Sequence, residues 1–209
     1  MAGDRGMRKW DHRREIQEEE RVEKRMFEKE LLQFSLKTGF ANAAMIDTDD
    51  IVFNPEFRPF CEENICGKYG ANYSCPPACG TVEEMRQRVL RYRRALVLQT
   101  LWNIDDPLDD GQIKPAKRQH NAWTRQVIAW AGWPGIMVGA SGCDLCSPCL
   151  MVQGEPCCFP QLRFSCMSAY CIFVKKLADR CGMKYDCGKG IVAFFSMYCF
   201  QERDDGKAD

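Results

Sequence analysis

The sequence predicts an α/β fold, with α+β the neighbouring alternative. It reads as a single layered domain in which helices flank a mixed sheet and two cysteine-rich metal-binding loops leave strand ends. Three observations predict it. Apolar, partly β-branched runs of strand length alternate with longer stretches of helical periodicity. The 209 residues, 45% of them hydrophobic, suffice for one sizeable core, and no tandem repeat or low-complexity linker divides them. Finally, nine of the 14 cysteines concentrate in two stretches that fall between those elements.

In chain order, residues 13–37 read as a charged helix. Phe27, Leu31 and Phe34 recur at i, i+4, i+7 to give one narrow apolar face, and Gly39 is its stop. Short strands follow at 42–46 and 51–53, then the cysteine-rich stretch 61–80. Thr81 caps the next helix, with Glu84 three residues on as its capping-box partner, and the helix runs to about Arg94. The apolar run 95–102 is a buried strand. An acidic loop, Asp105 to Gly111, leads into a helix over 116–132, and 136–140 is another strand. It delivers the chain to Gly142 and to the second cysteine stretch, 143–158. A helix over 166–181 and a strand over 190–199 complete the pattern. The division expected is a charged helical extension over 1–30, a cysteine-rich domain over 31–200, and a polar tail over 201–209.

Composition excludes several functions. Lys+Arg and Asp+Glu are both 29, so the formal charge is zero, which argues against a dedicated nucleic-acid binder. The first 30 residues mix nine basic with nine acidic residues, unlike a secretory signal. The longest apolar run, Ile191 to Phe200, is half of the roughly 20 residues a spanning helix needs. A cytoplasmic protein without membrane attachment is therefore expected. In a reducing compartment, cysteines serve as metal ligands, redox thiols or small core residues rather than as a disulfide framework. Asn72-Tyr73-Ser74 matches a glycosylation pattern by chance on this view.

Two constellations carry the chemistry. The first is Cys61-x4-Cys66-x8-Cys75-Pro76-Pro77-x-Cys79, and the second is Cys143-x2-Cys146-x2-Cys149-x7-Cys157-Cys158. Three thiolates two residues apart can wrap three corners of an iron–sulfur cube while a fourth arrives from elsewhere. Structural zinc sites more often use two separate Cys-x2-Cys knuckles or add His, and the only histidines, His12 and His120, lie far from both stretches. Thiolate-only ligation favours one or two [4Fe–4S] clusters and stays compatible with zinc. Proline after a ligating cysteine turns the chain away from the metal. Gly67, Gly70, Gly80 and Gly142 allow close approach of backbone N–H groups to cluster sulfurs.

The run Ile51-Val52-Phe53-Asn54-Pro55, followed by Cys61, Cys66, Tyr69-Gly70 and Cys75-Pro76-Pro77, resembles the DUF2284 family of predicted metal-binding proteins. Gly142-Cys143, Cys146, Cys149, Pro156-Cys157, Pro160, Ser165 and Ala169 resemble its second motif. The resemblance covers roughly residues 30–200 and implies metal binding without a defined reaction. It also implies seven ligands: Cys61, Cys66, Cys75, Cys143, Cys146, Cys149 and Cys157. Cys79 is a candidate eighth; otherwise a three-thiolate cluster would leave one iron open. Ligand exchange between the two motifs is a further alternative.

The remaining candidates have plainer expectations. Cys158 is a substitute for Cys157 as ligand. Cys166, Cys171, Cys181, Cys187 and Cys199 are expected as small buried residues, with a third site from Cys171, Cys181 and Cys187 the minor alternative. Arg86, Arg88, Arg91, Arg93 and Arg94 form a solvated helix face or a docking patch for an acidic redox partner. Asp105, Asp106, Asp109 and Asp110 are a solvated loop, His120 a surface helix residue, and Trp123, Trp130 and Trp133 a core-packing face. Three functions compete: an electron-transfer iron–sulfur protein with a donor or acceptor partner, an iron–sulfur enzyme with an open iron, and a zinc-stabilised module.

Overall fold

The computed structural model describes residues 4–202, and the expectations for residues 1–3, for the His12 side chain and for the 203–209 tail lie outside what it describes. Five strands form one mixed sheet in the order β1-β2-β5-β3-β4. They are β1 (Asn42–Asp47), β2 (Tyr92–Asn103), β3 (Gly135–Gly139), β4 (Ser165–Cys166) and β5 (Ile191–Glu202). All neighbours pair antiparallel except β3 and β4, which pair parallel through Val138↔Ser165 and Gly139↔Cys166. The helices are α1 (Asp4–Thr38), α2 (Arg58–Glu62), α3 (Val82–Leu90), α4 (Asp110–Ala131) and α5 (Val174–Arg180). This is the layered α/β arrangement the sequence predicts.

Strand alternation sorts the core into two faces. Leu96 and Leu98 of β2 and Tyr198 and Phe200 of β5 face α1 and α4, where they meet Leu31, Val127 and Ala131. Ala95, Val97, Met197 and Cys199 face the other way, onto Met85 and Val89 of α3 and Leu177 and Ala178 of α5. The periodic residues of α1 do the expected work: Leu31 is fully buried, Phe27 stacks on Trp133 at 4.5 Å and Phe34 on Trp130 at 4.7 Å. Trp123 stacks on Trp102 and packs with Trp133 against the core as expected, whereas Trp130 is 42% exposed and Trp133 lies past the end of α4. Gly39, at φ +125, stops α1, and an added Cβ would meet the Trp123 ring at 3.0 Å.

Four expectations are corrected. The helix begun at Thr81 has its capping box but ends at Leu90, because Tyr92–Arg94 are drawn into β2 by pairing with β5 and β1. Arg94 there binds Glu28 of α1 and Asp47 of β1, so the five arginines are not one helical face. Residues 51–53 make only an isolated bridge, Phe53↔Ile172, in place of a strand. The helix expected over 166–181 is strand β4, a turn with Cys171 at φ +55, and then the short α5. Its first half is held instead by long-range bonds, Met167 N–H to the Gly139 carbonyl and Asn54 N–H to that of Cys171.

His120 is the fourth. It is fully buried, not on the surface: its Nδ1 lies 2.7 Å from Thr100 Oγ1, which also accepts from Trp102 Nε1, and its ring meets Phe40 edge-on. The helix that carries it starts earlier than predicted, at Asp110. Asp109 caps it by accepting from Gly111 N–H, which gives one of the loop aspartates a structural role.

Candidate metal centre

Both cysteine stretches lie at one end of the sheet, and polar bonds tie them together. Asn72 donates to the Cys143 carbonyl at 3.1 Å, Ser74 Oγ accepts from Cys143 N–H at 3.0 Å, and Lys68 Nζ reaches the same carbonyl at 3.3 Å. Asn72 Oδ1 also accepts from Ser74, so this buried asparagine is committed to the scaffold and is no glycosylation acceptor. Gly142 sits so close to the first stretch that an added Cβ would lie 2.9 Å from Cys75 Sγ. All 14 cysteines are free thiols.

Cys143, Cys146, Cys149 and Cys157 line one small pocket together with Asn72, Tyr73, Phe159 and Arg163. Backbone N–H groups surround these sulfurs. Burial raises the Cys143 pKa, opposed by the N–H groups of Leu145 and Phe164. Burial likewise raises Cys146, opposed by Leu150 N–H. For Cys149 burial is outweighed: the N–H groups of Met151 and Tyr73, the Cys146 thiol and the Lys68 charge hold its pKa below the ordinary value. Cys158 makes a hydrogen-bond contact with Cys146 and so stands beside this group.

The first stretch assembles differently. Burial pushes Cys61 up to about 11, reinforced by the nearby Cys166 and eased by Arg58. Burial pushes Cys75 up to about 12, reinforced by Cys166 and Cys66 and eased by Lys68. Cys66 is also a neighbour of both Cys61 and Cys166. Arg58 donates to the Ala169 carbonyl at 3.1 Å, which docks the helix bearing Cys61 onto the turn that follows Cys166. Its other terminal nitrogen, Nη1, is buried without a partner. Cys79 is 3% exposed in the apolar core cluster that holds Met85, Val89 and Ala169, and its N–H donates to the Cys75 carbonyl.

The other cysteines part company. Cys199 is buried in the sheet, and burial alone pushes it up to about 12. Cys181 has Arg180 and no cysteine as its charged neighbour, and Cys187 bonds the Lys184 carbonyl. Cys171, Cys181 and Cys187 are therefore not drawn into one group. Of the glycines, Gly67 and Gly70 donate their N–H groups to the carbonyls of Asn64 and Pro76, whereas Gly142 provides the close approach to a sulfur.

The donor set fits a cationic centre. Crowded thiols raise each other's pKa because a second thiolate cannot be accommodated without a compensating cation, and a bound metal reverses that balance. N–H groups turned to sulfur favour the thiolate, and the Arg58 guanidinium faces the Cys171 thiol. Among the described residues, no three Cys, His, Asp or Glu side chains are already closed around a single-ion position.

The family model of predicted metal-binding proteins, DUF2284, matches residues 44–199, about three quarters of the chain. The chain belongs to the DUF2284 family. Its match spans every cysteine of both stretches, so the DUF2284 region coincides with the sheet and the two thiol groups. No curated protein and no solved structure matches the chain. No helix among the described residues is long and apolar enough to cross a membrane.

Cys166, expected as a small buried residue, is a neighbour of Cys61, Cys66 and Cys75 across the fold, and no spacing in the sequence signals it.

Proposed function

We propose that this DUF2284 protein is a cytoplasmic [4Fe–4S] protein that passes electrons between a donor and an acceptor protein. The observation that carries this reading is the pocket ringed by Cys143, Cys146, Cys149 and Cys157, with backbone N–H groups turned to three of the four sulfurs. A cluster bound there supplies reversible one-electron chemistry. The chain's own residues supply the rest. Four thiolates hold the group at the sheet end, and N–H groups and Lys68 offset its negative charge. Phe159 and Tyr73 form part of the pocket wall.

Exposed apolar side chains flank the loops. Phe60, Ile65, Phe159 and Leu162 are all exposed, and such side chains suit transient docking of a partner. Reductive titration of anaerobically purified protein, followed by electron paramagnetic resonance, tests the reading. Appearance of a reduced-cluster signal that returns to silence on reoxidation is the expected result. A protein loaded with zinc and silent at every potential overturns it and leaves a zinc-stabilised module.

A further inference from the structure

We propose that Asn121 and Arg125 of α4 are positioning residues for the second cysteine loop, which they hold through Asp144. The proposal rests on the reading of Cys143, Cys146, Cys149 and Cys157 as one metal centre, and not on which metal is bound.

Asp144 stands between the first two cysteines of that loop, in Cys143-Asp144-Leu145-Cys146. Its side chain is only 12% exposed, and both of its oxygens are engaged. Oδ1 accepts from Arg125 Nη1 at 3.1 Å, and Oδ2 accepts from Asn121 Nδ2 at 3.4 Å. By contrast, the helical ion pairs of Lys114 with Asp110 and of Lys175 with Asp179 have side chains 62–73% exposed. Pairs of that kind contribute little. A carboxylate drawn beneath the surface and held at both oxygens fixes the chain that bears it.

Asn121 also holds the residues that lead into the loop. It is fully buried, its Oδ1 accepts from Ala140 N–H at 3.0 Å, and Nδ2 donates to Ser141 Oγ at 2.9 Å. The approach is close: a Cβ on Gly139 would lie 3.0 Å from Asn121 Oδ1 and 2.6 Å from the Phe164 ring. Arg125 lies over that same ring, 5.7 Å from its centroid. Asn121 and Arg125 are four residues apart, so one face of α4 meets Ala140, Ser141 and Asp144. The helix itself is fixed on the sheet, by Thr124 against Ser196 of β5 and His120 against Thr100 of β2, both at 2.7 Å.

The other side of Cys143 is held by the first stretch, through Ser74 on its N–H and Asn72 on its carbonyl. The backbone of Cys143 is thus bonded to the first stretch, while the residues on either side of it are anchored to α4. Partners of this kind orient metal ligands, and substituting one typically costs about 10–100-fold in metal affinity.

The test measures the rate at which anaerobically purified full-length protein gives up its metal to a chelator, with far-UV circular dichroism recorded throughout. Arg125→Met keeps the apolar stem over Phe164 and removes the bond to Asp144. It should release metal about tenfold faster than wild type, and Asp144→Ala should do the same. The double variant should be no faster than either single one, because both remove the same contact. Arg125→Lys should recover part of the difference. Arg180→Ala, which removes the exposed pair with Asp50, should match wild type. In a Cys149→Ala background, which empties the second centre, Arg125→Met should leave release of the remaining metal unchanged. General loss of stability would not respect that boundary. Wild-type release from Arg125→Met, or faster release that persists in the Cys149→Ala background, overturns the proposal and leaves the metal-centre reading intact. Wild type purified without any metal overturns that reading and the proposal with it. Should Arg125→Met not fold, Asp144→Ala is judged by the same outcomes.

Discussion

His120 makes the stability of this protein depend on pH in a defined window. Its ring is fully buried beneath Phe40, one nitrogen meets the Thr100 hydroxyl, and Nε2 has no partner. Burial therefore depresses the pKa from 6.5 to about 3. The unfolded chain takes up its proton first as the pH falls, so protons favour the unfolded state between those two values. Above pH 6.5 both states are neutral and this group contributes no slope. At pH 5, 1.5 units below the unfolded value and at about 1.4 kcal/mol per unit, the loss is about 2 kcal/mol. His120→Gln keeps a polar partner for Thr100 and removes the titration. Urea unfolding of wild type and variant, both anaerobic, at pH 7.5 and pH 5 isolates the effect, because terms from metal and other groups cancel in the difference. The stability gap between the two proteins should move by about 2 kcal/mol in favour of the variant on going to pH 5. A gap independent of pH would refute the buried neutral imidazole.

Other perturbations have equally specific outcomes. Arg94 is about 20% exposed and joins Glu28 at 2.7 Å and Asp47 at 2.8 Å, so Arg94→Ala should destabilise by about 2–3 kcal/mol in denaturant unfolding. Arg94→Lys should recover only part of that, since an ammonium cannot reproduce the fork. Gly142→Ala would place a Cβ 2.9 Å from Cys75 Sγ, and should lower iron content while the far-UV circular dichroism stays as in wild type. Lys68 eases the negative charge at both Cys75 and Cys149. Lys68→Met should therefore lower the midpoint potential in a redox titration, because the reduced state carries more negative charge.

Local signals in the sequence were read correctly where local physics decides. The Thr81–Glu84 capping box, the Gly39 stop and the strand over 190–199 all need only neighbouring residues. Misreadings came where distant partners decide. Arg91–Arg94 have good helix propensity, yet pairing of β2 with two strands and the Glu28 and Asp47 carboxylates take Arg93 and Arg94 into the sheet. The 166–181 segment has helical composition, but the pairing of Cys166 with Gly139 and of Phe53 with Ile172 breaks its first half. His120 looked like a surface residue because its burial depends on β2 and the chain after α1 closing over it.

The site divides along the same line. Cys143, Cys146 and Cys149 were legible because tight spacing itself presents sulfurs together, and Cys157 joins them on the same pocket wall. The company of Cys61, Cys66 and Cys75 was not legible, because β4 delivers Cys166 through a parallel pairing that no spacing encodes.

The most direct test of the account is metal and sulfide analysis of anaerobically purified protein together with its visible spectrum. The iron–sulfur reading predicts brown protein with near-equal iron and sulfide. Colourless protein containing zinc and no sulfide would contradict it.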